Sequence, residues 1–173
     1  MDKNDIQVSS GIQLRTAAEV DFAVVSAWFS PMASAFPASA SLLIRQWAGP
    51  NITCPRSIEQ LASYVMASQY QSFVLADHAN IIGFGQLQLI KQRAHLARLA
   101  INPNYRGQGL AKRLLSELIE NAQQKIDLKE VSLFVYIKNT TAIACYEKFG
   151  FAESATPAGI SAVVGCRFMT LRC

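Results

Sequence analysis

Two stretches with different apolar periods meet at the turn Arg106-Gly107-Gln108-Gly109-Leu110-Ala111. Upstream, residues 95–101 (HLARLAI) form a mostly apolar run that reads as a strand and is punctuated by Asn102-Pro103-Asn104. Downstream, Leu110, Leu114, Leu115, Leu118, Ile119 and Ala122 recur with the spacing of one helix face. A strand, a glycine turn and a helix in immediate succession place the first backbone N–H groups of the helix at the mouth of the turn. Those groups lack intrahelical partners and lie at the positive end of the helix dipole, so the junction is built to receive an anion such as a pyrophosphate. Glycine at Gly107 and Gly109 lets such a ligand approach the backbone.

The commoner phosphate loops do not fit. Gly107 and Gly109 begin a Gly-x-Gly-x-x-Gly pattern, but Lys112 stands in place of the third glycine, and no Gly-x-x-x-x-Gly-Lys-Ser/Thr occurs in the chain. The turn instead resembles the acetyl-CoA pyrophosphate motif of the GNAT superfamily of N-acetyltransferases, Gln/Arg-x-x-Gly-x-Gly/Ala, which is met by Arg106, Gly109 and Ala111.

A second motif follows. Residues 131–137 (VSLFVYI) form a β-prone run, and after it come Asn139, Ala142, Tyr146 and Gly150-Phe151. The spacing resembles the C-terminal signature of the same superfamily, Asn-x-x-Ala-x-x-x-Tyr ending in Gly-Phe. Read from the residues alone, Asn139 or Thr140 caps a helix with the apolar stripe Ala142, Cys145, Tyr146 and Phe149, and Gly150 stops it in the left-handed conformation. On that reading Tyr146 is a core aromatic with a satisfied hydroxyl. The resemblance gives it a further role.

Composition sets bounds on the whole. With 173 residues and 51% hydrophobic composition, the chain is expected to form a single domain over residues 1–173, with 1–10 as a flexible or edge segment. The first residues lack the pattern of a signal peptide and no apolar stretch approaches the ~20 residues that cross a bilayer, so a cytoplasmic protein without membrane association is expected. Four cysteines without Cys-x-x-Cys spacing and only two histidines, His78 and His95, predict reduced thiols and no metal. The formal charge of +4 comes without a Lys/Arg run or a basic helix interleaved with aromatics, and nucleic acid is not expected as a partner. Arg106, Lys112 and Arg113 stand near the expected phosphate site, either as aids to anion capture or as an ordinary solvated face.

Elsewhere, residues 11–15 read as a first strand. Thr16-Ala17-Ala18-Glu19 reads as a capping box for a helix to about Trp28, residues 41–47 as helical until Gly49-Pro50, and Ser57-Ile58-Glu59-Gln60 as the box of a helix to about Ser68. Strands are expected at 72–76, 81–90, 95–101, 151–155 and 166–172, with a turn at 77–80 and alternation at Gln86-Leu87-Gln88-Leu89. The fold class is mixed α/β, a mostly antiparallel sheet flanked by helices in the order β-α-α-β-β-β-α-β-α-β-β, and it resembles the GNAT fold over most of the chain. Trp47-Ala48-Gly49-Pro50 also resembles the substrate-side region of ribosomal-protein N-terminal acetyltransferases and their relatives, besides reading simply as a helix stop beside a packed tryptophan.

The resemblance implies direct acetyl transfer from acetyl-CoA to a primary amine. It assigns pantetheine contacts to the backbone of Leu99, Ala100 and Ile101, and pyrophosphate contacts to Arg106, Gly107, Gln108, Gly109, Leu110, Ala111 and Lys112. Asn139 and Ala142 join the cofactor site, and Tyr146 becomes the acid that protonates the departing thiolate. His95 stands at the register where family members often carry a carboxylate base. An imidazole suits that task, while the residue alone reads first as a sheet-edge histidine with a structural hydrogen bond. The acceptor is not named by any motif, and a homodimer is allowed. Two other readings stay open: a CoA-binding regulatory module without catalysis, and an α/β protein whose glycine turn is purely structural.

Overall fold

The computed structural model describes residues 11–29, 44, 46–47, 58–78 and 80–173. Its elements are β1 (Ile12–Thr16), α1 (Glu19–Ala27), α2 (Ile58–Met66), β2 (Gln71–Asp77), β3 (Asn80–Ile90) and β4 (Arg93–Ile101). A single 3₁₀ turn (Pro103–Tyr105) leads to α3 (Leu110–Gln123), β5 (Glu130–Tyr136), α4 (Thr140–Phe149), β6 (Ala152–Glu153) and β7 (Cys166–Arg172). The strands form one seven-stranded sheet in the order β1-β2-β3-β4-β5-β7-β6. Every neighbouring pair is antiparallel except β4 with β5. A parallel pair needs a crossover long enough to return the chain to the same end of the sheet, and α3 supplies it.

Each face of the sheet carries its own core. On one, the six α3 residues expected from the sequence are all buried, packed with Phe73, Leu75, Leu96 and Leu133. On the other, Phe22 and Val25 of α1 and Leu61 and Val65 of α2 pack with Val74, Ile81 and Phe84. Consecutive residues Phe73, Val74 and Leu75 belong alternately to the two cores, as the two-residue period of a strand buried on both sides requires. Ile44, Gln46 and Trp47 are helical, and Ile44 and Trp47 join the second core.

Several local expectations need correction. The first helix starts at Glu19 with Ala18 as its N-cap, so Thr16 caps nothing. Asp21 takes over: its carboxylate accepts from the Ala18 N–H at 2.7 Å and from both ends of the Arg15 guanidinium, and the Arg15 hydrogen bond holds its pKa below the usual carboxylate range. Ser57, the expected cap of α2, and most of 41–50 lie outside the described residues, and α2 ends at Met66 before the expected Ser68. The strand expected at 151–155 shrinks to Ala152–Glu153 at the sheet edge. In α4 the expected stripe is only half-buried, and Ile143 is its buried residue.

Candidate active site

Sheet pairing opens the site. Arg93 to Leu96 of β4 pair with Glu130 to Leu133 of β5, and there the ladder stops. Beyond Leu96 the two strands part, so the β5-facing backbone groups of Ala97 through Ile101 are left without a strand partner. A bulge on the other edge accentuates the change. Ala97 pairs with Gln86 and Ala100 with Phe84, which sets both Arg98 and Leu99 against Gly85. Gly85 makes this packing feasible, because a Cβ there would stand 2.8 Å from Leu118 Cδ1 and 2.9 Å from Leu99 Cδ2. Leu99 fills the space toward α3, and Arg98 turns the opposite way with φ of +50°.

The parted strands and the ends of α3 and α4 enclose a cleft of about 870 Å³, within the range of small-molecule sites. Leu99, Ala100 and Ile101 form one wall. Arg106, Gly107, Gly109, Leu110, Ala111 and Lys112 form the mouth, and Asn139, Ala142 and Tyr146 of α4 form the facing wall. Of the cofactor residues expected from the sequence, Gln108 alone is not in the lining.

The mouth is shaped by two left-handed glycines, Gly107 at φ +78° and Gly109 at φ +75°. Gly109 is the N-cap of α3 and its carbonyl accepts from the Lys112 N–H at 3.1 Å. The Lys112 amide is thus engaged within the turn, while the amides of Leu110 and Ala111 have no intrahelical acceptor. Arg106 ties the turn to the end of β4 through Nε to the Ile101 carbonyl at 3.3 Å.

Asn139 caps α4, its Oδ1 accepting from the Ala142 N–H at 3.2 Å. That bond leaves the amide NH₂ of Asn139 to the cleft. Tyr146 lines the cleft beside Phe149 and Cys145. Burial, with the Cys145 thiol as a smaller influence, pushes its phenol well above the ordinary value, so the hydroxyl stays protonated at any working pH.

His95 is elsewhere. It sits in the paired half of β4, buried, with Nδ1 2.9 Å from Ser132 Oγ and its ring beside Phe134, Phe168 and Tyr70. It does not line the cleft. Burial, reinforced by the Arg93 charge, lowers its pKa to about 4. The register reading put it near the chemistry, whereas its side chain is enclosed by aromatic rings in the zipped part of the sheet. Glu153, the acid of β6, is ion-paired with Arg167 at 3.5 Å.

The far end of the cleft brings Phe29, Trp47 and Arg98 together. Trp47 stacks on Phe29 with ring centroids 4.4 Å apart and donates its indole N–H to the Arg98 carbonyl at 2.9 Å. Arg98 was not singled out in the sequence. The signal for it was Gly83-Phe84-Gly85, since glycine inside a strand marks a bulge or a close approach.

A profile of the acetyltransferase (GNAT) family matches residues 39–151. The chain belongs to this family. A ribosomal protein bS18-alanine N-acetyltransferase of Escherichia coli (strain K12) is 33% identical over 86 residues, covering 50% of this chain and 57% of the relative. The chain thus spans little more than half the length of the curated relatives of that kind. Among solved structures, spermidine N-acetyltransferase from Vibrio cholerae in complex with CoA and spermine superposes with a TM-score of 0.66 at 19% identity, covering 95% of this chain and 96% of that one. PaiA N-acetyltransferase from Thermoplasma acidophilum in complex with coenzyme A gives 0.66 at 22%, covering 95% and 100%. At these identities the structures establish the GNAT fold, a mixed sheet between helical layers.

Proposed function

We propose that the protein is an acetyl-CoA-dependent N-acetyltransferase that moves an acetyl group directly to a primary amine. The observation that carries this reading is the cleft between the parted β4 and β5, with a glycine-turned helix end at its mouth and Tyr146 on its wall. The residues fit the cofactor. Leu110 and Ala111 offer free amides and the positive end of α3 to a pyrophosphate, with Arg106 and Lys112 adding charge. Unpaired main-chain groups along Leu99, Ala100 and Ile101 offer strand-like bonds to the pantetheine arm, and the free amide of Asn139 a further one.

Bound acetyl-CoA supplies a thioester whose carbonyl carbon accepts the amine. A main-chain N–H of the open β4 edge, at Ile101 or its neighbour, would be the donor for the thioester oxygen; such a donor is typically worth about 2.7 to 4 kcal/mol. Tyr146 holds the proton that the departing sulfur needs. Burial, the largest cause, raises its phenol above the ordinary value, which keeps the hydroxyl protonated until a thiolate forms beside it. The attacking amine must lose a proton first. With His95 sealed among aromatic rings, that proton leaves through water in the cleft.

We read residues 1–173 as one acetyltransferase domain. Among the described residues no helix is long and apolar enough to cross a membrane, and the free thiols of Cys145, Cys166 and Cys173 suit the cytoplasm as its compartment. The homodimer is the assembly to test, by light scattering. Release of free CoA thiol from acetyl-CoA in the presence of primary amines tests the activity. Amine-dependent release is the expected result, and tight acetyl-CoA binding without release to a broad amine panel would favour the non-catalytic module instead.

A further inference from the structure

Resting on that reading, we propose that Arg98 recognises a carboxylate carried by the acceptor, so that the substrates are carboxylate-bearing amines of the amino-acid type and not polyamines. Arg98 lines the cleft and also a hollow of about 400 Å³ bordered by Tyr64, Ser68, Tyr70 and Gln88. Its guanidinium is held in place from several sides. Nη1 donates to Gln86 Oε1 at 2.5 Å, and the charge lies 5.4 Å and 5.6 Å from the ring centres of Tyr64 and Tyr70. Gln86 is itself locked, since its amide nitrogen donates to the Val65 carbonyl, Ser68 Oγ and Ser72 Oγ.

What the guanidinium lacks is an anion. Among the described residues no carboxylate pairs with it, and its Nε is buried without a hydrogen-bond partner. A partly buried, unpaired cation is costly, and a ligand carboxylate answers it in the fork geometry that guanidinium favours. Capping α2 does not explain the arrangement, because the Val65 carbonyl is already met by Gln86 and Ser68. The left-handed backbone at a non-glycine residue is a strained state retained at this wall.

The charge of the cleft points the same way. Among the described residues its lining carries Arg98, Arg106, Lys112, Lys138 and Lys148 and no Asp or Glu. With Arg106 and Lys112 taken up by the pyrophosphate, a polyamine still meets the Arg98 guanidinium and finds no lining carboxylate among the described residues to hold its ammonium groups.

The test compares acetyl transfer to small amino acids, to the matching amino-acid amides and to spermidine, using the full chain and its Arg98→Gln and Arg98→Lys variants. Wild type is expected to favour acids over amides by about tenfold or more in kcat/KM, the worth of one charge-assisted hydrogen bond. Arg98→Gln removes that preference and Arg98→Lys keeps part of it, both with unchanged acetyl-CoA affinity by calorimetry. Equal use of acids and amides, preference for spermidine, or an equal loss on both substrate types in Arg98→Gln would overturn the proposal. Calorimetry with N-acetylglycine and N-acetylglycinamide on the CoA-loaded protein gives a readout independent of turnover. Arg98-dependent preference for the acid upholds carboxylate recognition even if no amine is acetylated, an outcome that would sink the transfer reaction alone, and no preference refutes it.

Discussion

The two halves of β4 share one strand and one stretch of sequence, yet they do different work. From Arg93 to Leu96 the strand is zipped to β5, and His95 there is enclosed and bonded to Ser132. From Ala97 to Ile101 the same strand has lost that neighbour, bulges over Gly85 and fronts the cleft that Tyr146 shares. On the proposed reading, the half of the sheet that an ionisable side chain faces decides whether it can take part in the chemistry. Paired backbone makes a scaffold, and unpaired backbone makes a binding edge.

Substitutions on the two halves separate these roles. Tyr146→Phe, on the open side, is expected to lower turnover about 100-fold or more while leaving acetyl-CoA affinity and stability nearly unchanged. Unchanged turnover would remove Tyr146 from the chemistry. His95→Gln, on the closed side, should leave turnover at neutral pH alone and change the pH profile of stability. The folded pKa of His95 is about 4, against about 6.5 in an unfolded chain. The unfolded state thus takes up the proton first, so the contribution of this group is complete above about pH 6.5 and declines as pH falls toward 4, by at most ~3 kcal/mol. Denaturant midpoints should show that slope in wild type and lose it in the variant; a parallel profile would mean that His95 is not held neutral by its surroundings.

A smaller effect is expected at the mouth. Gly109→Val forces a β-branched residue into φ of +75° where a Cβ would meet nothing within 4 Å, so the penalty is conformational and about 1–2 kcal/mol. Acetyl-CoA binding should weaken about tenfold by calorimetry, whereas Leu110→Ala should lower stability and spare affinity. The mildest change is Asn139→Ala, which removes the cap of α4 and about 1 kcal/mol of stability, read as a lower melting temperature with a modest loss of acetyl-CoA affinity.

Much of this was legible from residue order. The α3 stripe, the Gly109 turn, the Asn139 cap and the Gly150 stop are local signals, because each depends on residues within a turn of one another. What the chain could not declare is where β4 leaves β5, since that depends on partners far apart in sequence. His95 and Tyr146 both read as ionisable residues in apolar surroundings, and only the ladder separates them. Arg98 escaped notice because its meaning rests on Gly85, Gln86 and Trp47 together. Trp47 and Phe29 could be read as apolar, but their stacking against the cleft end could not.

On the proposed reading, the open half of β4 and the start of α3 form an acetyl-CoA site. The most direct measurement is the melting temperature with and without acetyl-CoA, with ATP and dephospho-CoA as controls. Ligand at 100 times its dissociation constant adds about 2.7 kcal/mol, which for a domain of this size raises the melting temperature by about 5 °C or more. A rise of that order, selective for acetyl-CoA, is the predicted result. No shift at millimolar acetyl-CoA, or an equal shift with ATP, would contradict the assignment of the cleft.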